Sequence, residues 1–186
     1  MNVLVIQGSP KKNGNTATLA KQFMEGIAGG GRKPEITEFW LNDLSIKPCQ
    51  GCFKCAGTYR CIYADDMQQL YPAIEAAEVF VFAVPIYWWH MNAQMKLFFD
   101  RLTALLSPED KIPAMAGKRI VLIVAYNFRK CAECTINMFE DFKKWIDVRV
   151  DVLEHCAKEG DVSAHPAKLQ SARRLGKAIG SAAPQA

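Results

Sequence analysis

The sequence contains, at residues 8–16, the stretch Gly8-Ser9-Pro10-Lys11-Lys12-Asn13-Gly14-Asn15-Thr16. An apolar run at residues 3–6 precedes it, and apolar side chains at helical spacing follow it over residues 17–27. The run predicts a buried strand, and the spacing predicts an amphipathic helix. Glycines let a backbone approach an anion closely, while N–H groups, hydroxyls and a helix N-terminus attract it. We therefore predict that residues 8–16, hereafter the phosphate loop, hold a phosphate.

Length, composition and charge indicate one globular domain over residues 1–186. Half of the residues are hydrophobic, and the net charge of +4 is not concentrated in a long basic run. This balance favours a phosphate-bearing ligand, and we expect neither nucleic acid nor a membrane as a partner. Because no apolar run reaches transmembrane length and the N-terminus lacks a signal-peptide pattern, we expect a cytoplasmic protein. In that compartment, seven cysteines favour metal or redox chemistry over a disulfide framework.

Apolar β runs alternate strictly with helical patterns along the chain. The predicted strands are 2–7, 35–40, 79–84, 119–125 and 148–154, and the predicted helices are 16–28, 66–76, 93–106, 135–146 and 166–179. This alternation predicts an α/β fold of three layers, in which a five-stranded parallel sheet is covered by helices on both faces. The pattern suits the flavodoxin-like strand order 2-1-3-4-5. The loop after the second strand, residues 41–65, is unusually long and carries four cysteines.

Sheets of this kind bind their ligands at the carboxyl ends of the strands. The loops at residues 9–15, 85–92 and 126–134 should converge there, and residues 41–65 should lie near the same rim. The second of these loops has three consecutive aromatic residues, Tyr87, Trp88 and Trp89, which we interpret as a wall for a flat ring system. The alternative is that the tryptophans pack in the core or at a subunit interface.

The kind of nucleotide follows from what the phosphate loop lacks. Asn15 stands where a nucleoside-triphosphatase loop needs lysine, and the glycine pattern of dinucleotide-binding folds is absent from the sequence. The remaining interpretation is a mononucleotide phosphate held by hydroxyls and amides.

Two sets of motifs together resemble the NAD(P)H-dependent FMN reductases of flavodoxin-like fold. The first set is the phosphate loop, and the second is Pro85-Ile86-Tyr87-Trp88 followed by Met91-x-Ala93-Gln94-Met95-Lys96-x3-Asp100-Arg101. The resemblance implies FMN as cofactor, NAD(P)H as a candidate donor and a homodimer or homotetramer. The FMN-binding residues that it implies are Ser9, Lys11, Asn13, Asn15 and Thr16 at the phosphate, Pro85, Ile86, Tyr87 and Trp88 along the isoalloxazine, and Tyr126 and Asn127 at the ribityl chain or ring edge.

Four cysteines, Cys49, Cys52, Cys55 and Cys61, lie close together in the long loop. Short Cys-x2-Cys-x2-Cys spacing is typical of 4Fe–4S ligation, whereas structural zinc sites usually have a longer gap between two pairs. Reduced thiols without a metal are the third interpretation. The spacing also resembles that of the iron–sulfur flavoproteins, a branch of the FMN reductases in which these four positions ligate the cluster.

A second cysteine pair, Cys131 and Cys134, is predicted to lie just before the fourth helix. We interpret the two as free thiols near the flavin, and a redox-active pair is the alternative. Cys156 is expected to be a thiol at the end of a strand.

Three functions are compatible with these features. The preferred one is an FMN-dependent oxidoreductase in which a 4Fe–4S cluster passes electrons between FMN and an external carrier such as ferredoxin. The second is an NAD(P)H-dependent FMN or quinone reductase without a cluster. The third is a flavin electron carrier or redox sensor without turnover. No side chain stands out as a general acid or base, so no catalytic residue is assigned.

Overall fold

Six strands lie within residues 1–109 and 111–182, the part of the chain that the computed structural model describes: β1 (Asn2–Gln7), β2 (Glu35–Trp40), β3 (Val79–Tyr87), β4 (His90–Met91), β5 (Arg119–Tyr126) and β6 (Arg149–Cys156). Five of them form a parallel sheet in the order β2-β1-β3-β5-β6. This order confirms the predicted flavodoxin-like arrangement, in which the first strand lies beside the third. The two-residue strand β4 pairs with β3 in the antiparallel direction.

Five α-helices of the described residues cover the sheet: α1 (Asn15–Ala28), α2 (Met67–Ala76), α3 (Ala93–Arg101), α4 (Arg129–Trp145) and α5 (Pro166–Ser181). One face has a core with α1 and α5 around the fully buried Phe23. The other face has a core with α2, α3 and α4, where the ring of Phe82 lies 6.0 Å from that of Phe98 and 5.6 Å from that of Phe139. β1 and β3 are therefore buried on both faces, as their continuous apolar runs predict.

The helices α1 and α5 approach each other so closely that glycines form their contact. A Cβ at Gly26 would overlap the carbonyl of Arg173, and a Cβ at Gly176 would overlap the carbonyl of Phe23. Because interiors pack this tightly, the position of α1 against α5 is closely defined. The phosphate loop leads directly into α1, so its position is defined as well.

Three boundaries differ from the predictions by more than two residues. β3 continues through residues 85–87 and turns back as β4, so the predicted loop at residues 85–92 is largely a hairpin. α4 begins at Arg129 and not at residue 135. The prediction missed its first turns because they are polar and carry no apolar periodicity. α3 ends at Arg101 and is followed by a 3-10 turn, Leu102–Leu105, within the helix that was predicted over residues 93–106.

Within residues 1–109 and 111–182, no helix combines the length and the apolar character that crossing a bilayer requires. The predicted single domain over residues 1–186 also includes Asp110 and residues 183–186, which lie outside the described part of the chain.

Candidate functional site

The phosphate loop begins at a glycine that admits no side chain. The N–H of Gly8 donates to the carbonyl of Ala83 on β3 at 2.9 Å. A Cβ at Gly8 would lie 2.9 Å from Cε of Met95 and 3.0 Å from Oδ1 of Asn92. The loop is therefore attached to the carboxyl end of β3 and to the start of α3, which brings two of the predicted ligand-binding loops together.

The first turn of α1 has no side-chain cap. Gly14 stands at the N-cap position, and the first helical bond runs from the N–H of Thr18 to the carbonyl of Gly14. A helix leaves its first N–H groups without helical acceptors, and here no side chain of the described residues caps them. Ser9 and Thr16 are buried beside this turn, with 4% and 2% of their surfaces exposed. Unpaired donors and hydroxyls at a helix N-terminus form the kind of environment that binds anions.

The other polar residues of the phosphate loop differ in their surroundings. Lys11 and Asn13 are exposed, so both side chains can reach a ligand at the rim. Lys12 is directed elsewhere, since its Nζ lies 2.7 Å from Oδ2 of Asp43 and 5.6 Å from the ring centroid of Trp40. Oδ1 of Asn15 accepts a hydrogen bond from the N–H of Val162 at 2.9 Å. The NH2 group of Asn15 takes no part in this bond.

An amide network that the sequence analysis missed supports the phosphate loop from α3. Nδ2 of Asn92 donates to the carbonyl of Gly8 and to Oε1 of Gln94, both at 2.6 Å. Nε2 of Gln94 donates in turn to Oδ1 of Asn42 at 3.2 Å. Asn92 is 1% exposed, and its Oδ1 has no hydrogen-bond donor among the described residues. The one sequence signal for this amide network was that Asn92 lies just before a predicted helix.

The predicted aromatic wall lies on the β3–β4 hairpin. Ile86 pairs with Met91 and Tyr87 with His90, so Trp88 and Trp89 form the two-residue turn. Both tryptophans have positive φ, 46° and 63°, a conformation that side chains other than glycine, asparagine and aspartate rarely adopt. Trp88 is 91% exposed and Trp89 is 56% exposed, so neither packs in the core of this chain. Strained, exposed aromatic residues at a ligand-binding rim favour a binding role.

Tyr126 is the last residue of β5, and Asn127 follows it on the same rim. The hydroxyl of Tyr126 donates to Oε2 of Glu154 at 3.1 Å, and Nε of Arg129 contacts the same oxygen at 2.7 Å. Burial, together with the neighbouring carboxylate of Glu154, raises the pKa of Tyr126 to about 12. Its hydroxyl is therefore a neutral donor at physiological pH. The carbonyl of Asn127 accepts a hydrogen bond from Sγ of Cys156 at 3.3 Å.

The four cysteines of the long loop line one pocket, which we call the cysteine pocket. Its lining residues are Cys49, Gln50, Gly51, Cys52, Phe53, Cys55, Cys61, Ile62, Tyr63, Arg101, Thr103 and Ala104. All four thiols are free, and the backbone that carries them is strained, with positive φ at Phe53 and Tyr59. Burial raises the pKa of Cys55 above its ordinary value, and the nearby thiols of the other three cysteines add to the rise.

The four thiols of the cysteine pocket can be compared with the ligands of a zinc ion and of a 4Fe–4S cluster. Around a zinc ion the thiolates lie about 2.3 Å from the metal. No three histidine, cysteine, aspartate or glutamate side chains within residues 1–109 and 111–182 converge in that manner. A 4Fe–4S cluster is wider and binds one thiolate at each of four irons. The four thiols that line the pocket match the number of thiolates that a 4Fe–4S cluster uses.

The cysteine pocket lies at the end of α3 that is opposite to the phosphate loop. Asn92 contacts the phosphate loop at the start of α3, whereas Arg101, which lines the cysteine pocket, stands at the end of that helix. A rise of about 1.5 Å per residue separates the two ends by roughly 13 Å. The long loop begins after β2 and runs along α3, because Lys47 and Asp65 are both held beside Arg101.

A buried ion pair closes the base of the long loop. Nη1 of Arg101 lies 2.6 Å from Oδ2 of Asp65 and donates to the carbonyl of Lys47 at 2.9 Å. The same carboxylate accepts from the N–H groups of Lys47 at 2.9 Å and Met67 at 3.2 Å. Burial alone would raise the pKa of Asp65, but Arg101 and these N–H groups hold it below its usual range. Sequence analysis missed this ion pair, because Arg101 is 36 residues away from Asp65 in the chain.

The second cysteine pair lies within a helix. Cys131 and Cys134 belong to the first two turns of α4, and were predicted to precede it. Cys134 is exposed and Cys131 is half-buried, and both are free thiols.

Comparison with known proteins is consistent with this fold and this arrangement of residues. The model of the family described as "NADPH-dependent FMN reductase" matches residues 1–157. An iron-sulfur flavoprotein of Archaeoglobus fulgidus is 30% identical over 126 residues, which are 68% of this chain and 54% of that protein. An iron-sulfur flavoprotein of Methanocaldococcus jannaschii is 32% identical over 101 residues, 54% of this chain and 51% of that protein. The NAD(P)H:quinone oxidoreductase from Methanothermobacter marburgensis has a similar fold, with a TM-score of 0.70, 17% identity and coverage of 96% of this chain and 98% of that one.

The parallel sheet and its strand order define a flavodoxin-like α/β protein. Within that class, the chain belongs to the NADPH-dependent FMN reductase family, a family of FMN-dependent oxidoreductases. The predicted resemblance to this family and to its iron–sulfur flavoprotein branch is confirmed. The chain spans about half the length of the curated relatives that it matches.

Proposed function

We propose that residues 1–186 form one FMN-binding domain that transfers electrons between FMN, a 4Fe–4S cluster and an external carrier. The observation that carries this choice is the cysteine pocket, where four free thiols surround one space. When bound, FMN would exchange hydride or single electrons, and a cluster would exchange one electron at a time. The tasks of this chain's residues are to hold the two groups, orient them and exclude water.

The FMN phosphate is assigned to the phosphate loop. The uncapped first turn of α1 supports this, because its N–H groups and the hydroxyls of Ser9 and Thr16 would neutralise an anion without a buried lysine. The free NH2 group of Asn15 can donate to a phosphate oxygen while its Oδ1 remains bonded to Val162. Lys11 and Asn13, both exposed, would close the solvent side.

The isoalloxazine is assigned to the carboxyl ends of β3 and β5. The buried Pro85 and the half-buried Ile86 supply an apolar floor, and Tyr87 and Trp88 supply exposed aromatic faces. Large rings exposed in this way gain free energy when a flat ligand covers them, at about 25 cal/mol per Å² of apolar area. Tyr126 and Asn127 would contact the ribityl chain or the ring edge from β5.

The cluster is assigned to Cys49, Cys52, Cys55 and Cys61. Thiolates are the ligands that iron–sulfur clusters use, and loss of the thiol protons would accompany binding. A homodimer or homotetramer is proposed because the exposed Trp88 and Trp89 provide an apolar surface that a second subunit could cover. Ferredoxin-like carriers and NAD(P)H are the candidate electron donors, and the cytoplasm, where thiols stay reduced, is the proposed location.

Iron, acid-labile sulfide and FMN counts on anaerobically purified protein test this proposal. We expect about four iron and four sulfide atoms per chain, together with one FMN. Cys52→Ser should lose most of the iron and keep the FMN, whereas the matched variant Cys134→Ser should keep both. Wild-type protein that contains FMN but neither iron nor sulfide would rule out the cluster.

The same preparation distinguishes the two alternatives. An NAD(P)H-dependent FMN or quinone reductase without a cluster would bleach its flavin rapidly with NADPH and turn over with a quinone. Reduction by ferredoxin alone favours the cluster-containing oxidoreductase. A flavin electron carrier or redox sensor would show no catalytic turnover with any acceptor by either route.

A further inference from the structure

Arg101 is the one charged residue among those that line the cysteine pocket, all of which belong to the described part of the chain. Its side chain is 1% exposed. By volume, it is the largest of the fully buried side chains in the described part of the chain. Burial of a guanidinium costs free energy unless its charge is compensated. The presence of Arg101 in the wall of this pocket therefore indicates a function for its charge.

The partners of Arg101 account for only part of its hydrogen-bonding capacity. Nη1 and Nη2 contact Asp65, Nη1 also donates to the carbonyl of Lys47, and the guanidinium lies over the ring of Tyr63 at 5.2 Å. Nε is buried and has no acceptor within residues 1–109 and 111–182. A buried, unpaired N–H costs about 1–3 kcal/mol, unless a bound group supplies the acceptor. The sulfur atoms of a cluster in the cysteine pocket would be such acceptors.

We propose that Arg101 is a positioning residue that sets the reduction potential of the group held by the four cysteines, through its fixed positive charge and its unpaired Nε–H. The inference rests on the proposed cluster. Reduction of the cluster takes up one electron from an external reductant, moves no proton and breaks no bond. The added negative charge lies beside the guanidinium, so Arg101 stabilises the reduced form more than the oxidised form and raises the potential.

The ion pair allows a test in which the two partners have opposite effects. Arg101→Gln removes the positive charge from the pocket wall, so the midpoint potential should fall. Asp65→Asn removes the negative charge behind the guanidinium, so the midpoint potential should rise. A purely structural role of the pair would loosen the loop in both variants and would not produce shifts of opposite sign.

Two further variants separate charge from architecture. Arg101→Lys keeps the positive charge, and its potential should lie between those of wild type and Arg101→Gln. Tyr71→Phe removes the hydroxyl that donates to the backbone carbonyl of Arg101 at 3.1 Å, on a side chain that does not line the pocket. This control should leave the potential unchanged.

The measurement is an anaerobic redox titration of cluster-loaded holoprotein, followed by electron paramagnetic resonance of the reduced cluster. If Arg101→Gln does not fold, the rise expected for Asp65→Asn and the fall below wild type expected for Arg101→Lys decide. Loaded variants whose potentials equal that of wild type, or all shift in one direction, overturn the role of Arg101 and leave the proposed function intact. Wild-type protein without iron and sulfide overturns the proposed function, and this inference with it.

Discussion

The backbone N–H of Val162 donates to Oδ1 of Asn15 at 2.9 Å, and this bond joins the segment before α5 to the start of α1. The turn that carries Val162 is held by His155, a fully buried residue of β6 whose Nε2 lies 2.9 Å from the carbonyl of Gly160. The side chain of Asn15 is therefore fixed in one orientation, with its NH2 group left for a ligand. Such preorganisation lowers the cost of ordering side chains when a ligand binds.

Asn15→Asp separates the structural role of Asn15 from its proposed contact with phosphate. Aspartate retains the acceptor for Val162 but replaces the NH2 donor by a negative charge. FMN affinity should fall by about tenfold or more, because a like charge at a helix N-terminus opposes an anion by roughly 1–2 kcal/mol. Fluorescence titration of apoprotein with FMN measures the change, and Gln170→Ala on the exposed side of α5 is the control. Wild-type affinity in Asn15→Asp would remove Asn15 from the phosphate site.

Gly8→Ala should disturb the junction between the phosphate loop and β3. The new methyl group would meet Met95, Asn92 and the carbonyl of Ala83, each within about 3 Å. We expect the free energy of unfolding to fall by about 1–3 kcal/mol, as for other overpacked sites, and FMN affinity to fall as well. Gly31→Ala is the matched control, since a Cβ there has no neighbour within 4 Å. Urea denaturation would contradict this expectation if the two variants had the same midpoint.

The two central tryptophans of the β3–β4 hairpin should lower the stability of the fold. Trp88 and Trp89 both have positive φ, which favours asparagine followed by glycine in a two-residue turn. The double variant Trp88→Asn/Trp89→Gly should therefore raise the free energy of unfolding by about 1–2 kcal/mol and weaken FMN binding. Denaturant unfolding and FMN titration of the same preparation test both effects. If the double variant binds FMN as wild type does, the hairpin does not contact the cofactor.

The sequence predicted the sheet well because its signals are local. The bounds of β1 and β2 agree with the predictions, since the apolar run of β1 and the β-branched and aromatic residues of β2 need no distant partner to be recognised. The early start of α4 at Arg129 was missed because residues 129–134 are mostly polar. The hairpin at Trp88 was missed because its turn has neither asparagine nor glycine.

The sequence predicted which residues form the candidate site, but it did not predict the hydrogen bonds and ion pair that connect them. The four cysteines were recognised from their spacing, and they do line one pocket. The pair of Arg101 with Asp65 depends on how α3 and the start of α2 meet, and neither residue has a sequence signal for its partner. The bonds of Asn92 to Gly8 and of Val162 to Asn15 likewise connect residues far apart in the chain. Long-range polar contacts arise from packing, which a single sequence does not encode in any local pattern.

Asp65 should make stability depend on pH in the acid range. Its pKa is lower in the folded protein than the usual 3.8, despite burial, because Arg101 and backbone N–H groups stabilise the carboxylate. A group of this kind adds stability above its unfolded pKa, and that contribution is lost as pH falls through the lower folded pKa. Near neutral pH, Asp65→Asn should reduce the free energy of unfolding by about 3 kcal/mol, since it leaves Arg101 buried without its counter-charge.

The difference between wild type and Asp65→Asn should then shrink below about pH 4, because Asp65 in the unfolded chain takes up a proton there before Asp65 in the folded protein does. Urea midpoints between roughly pH 3 and 7 measure this dependence. Asp66→Asn is the matched control. It removes the same charge from the neighbouring residue, whose carboxylate accepts a hydrogen bond from the N–H of Ser45. Parallel pH profiles of wild type and Asp65→Asn would show that the ion pair with Arg101 does not stabilise the fold.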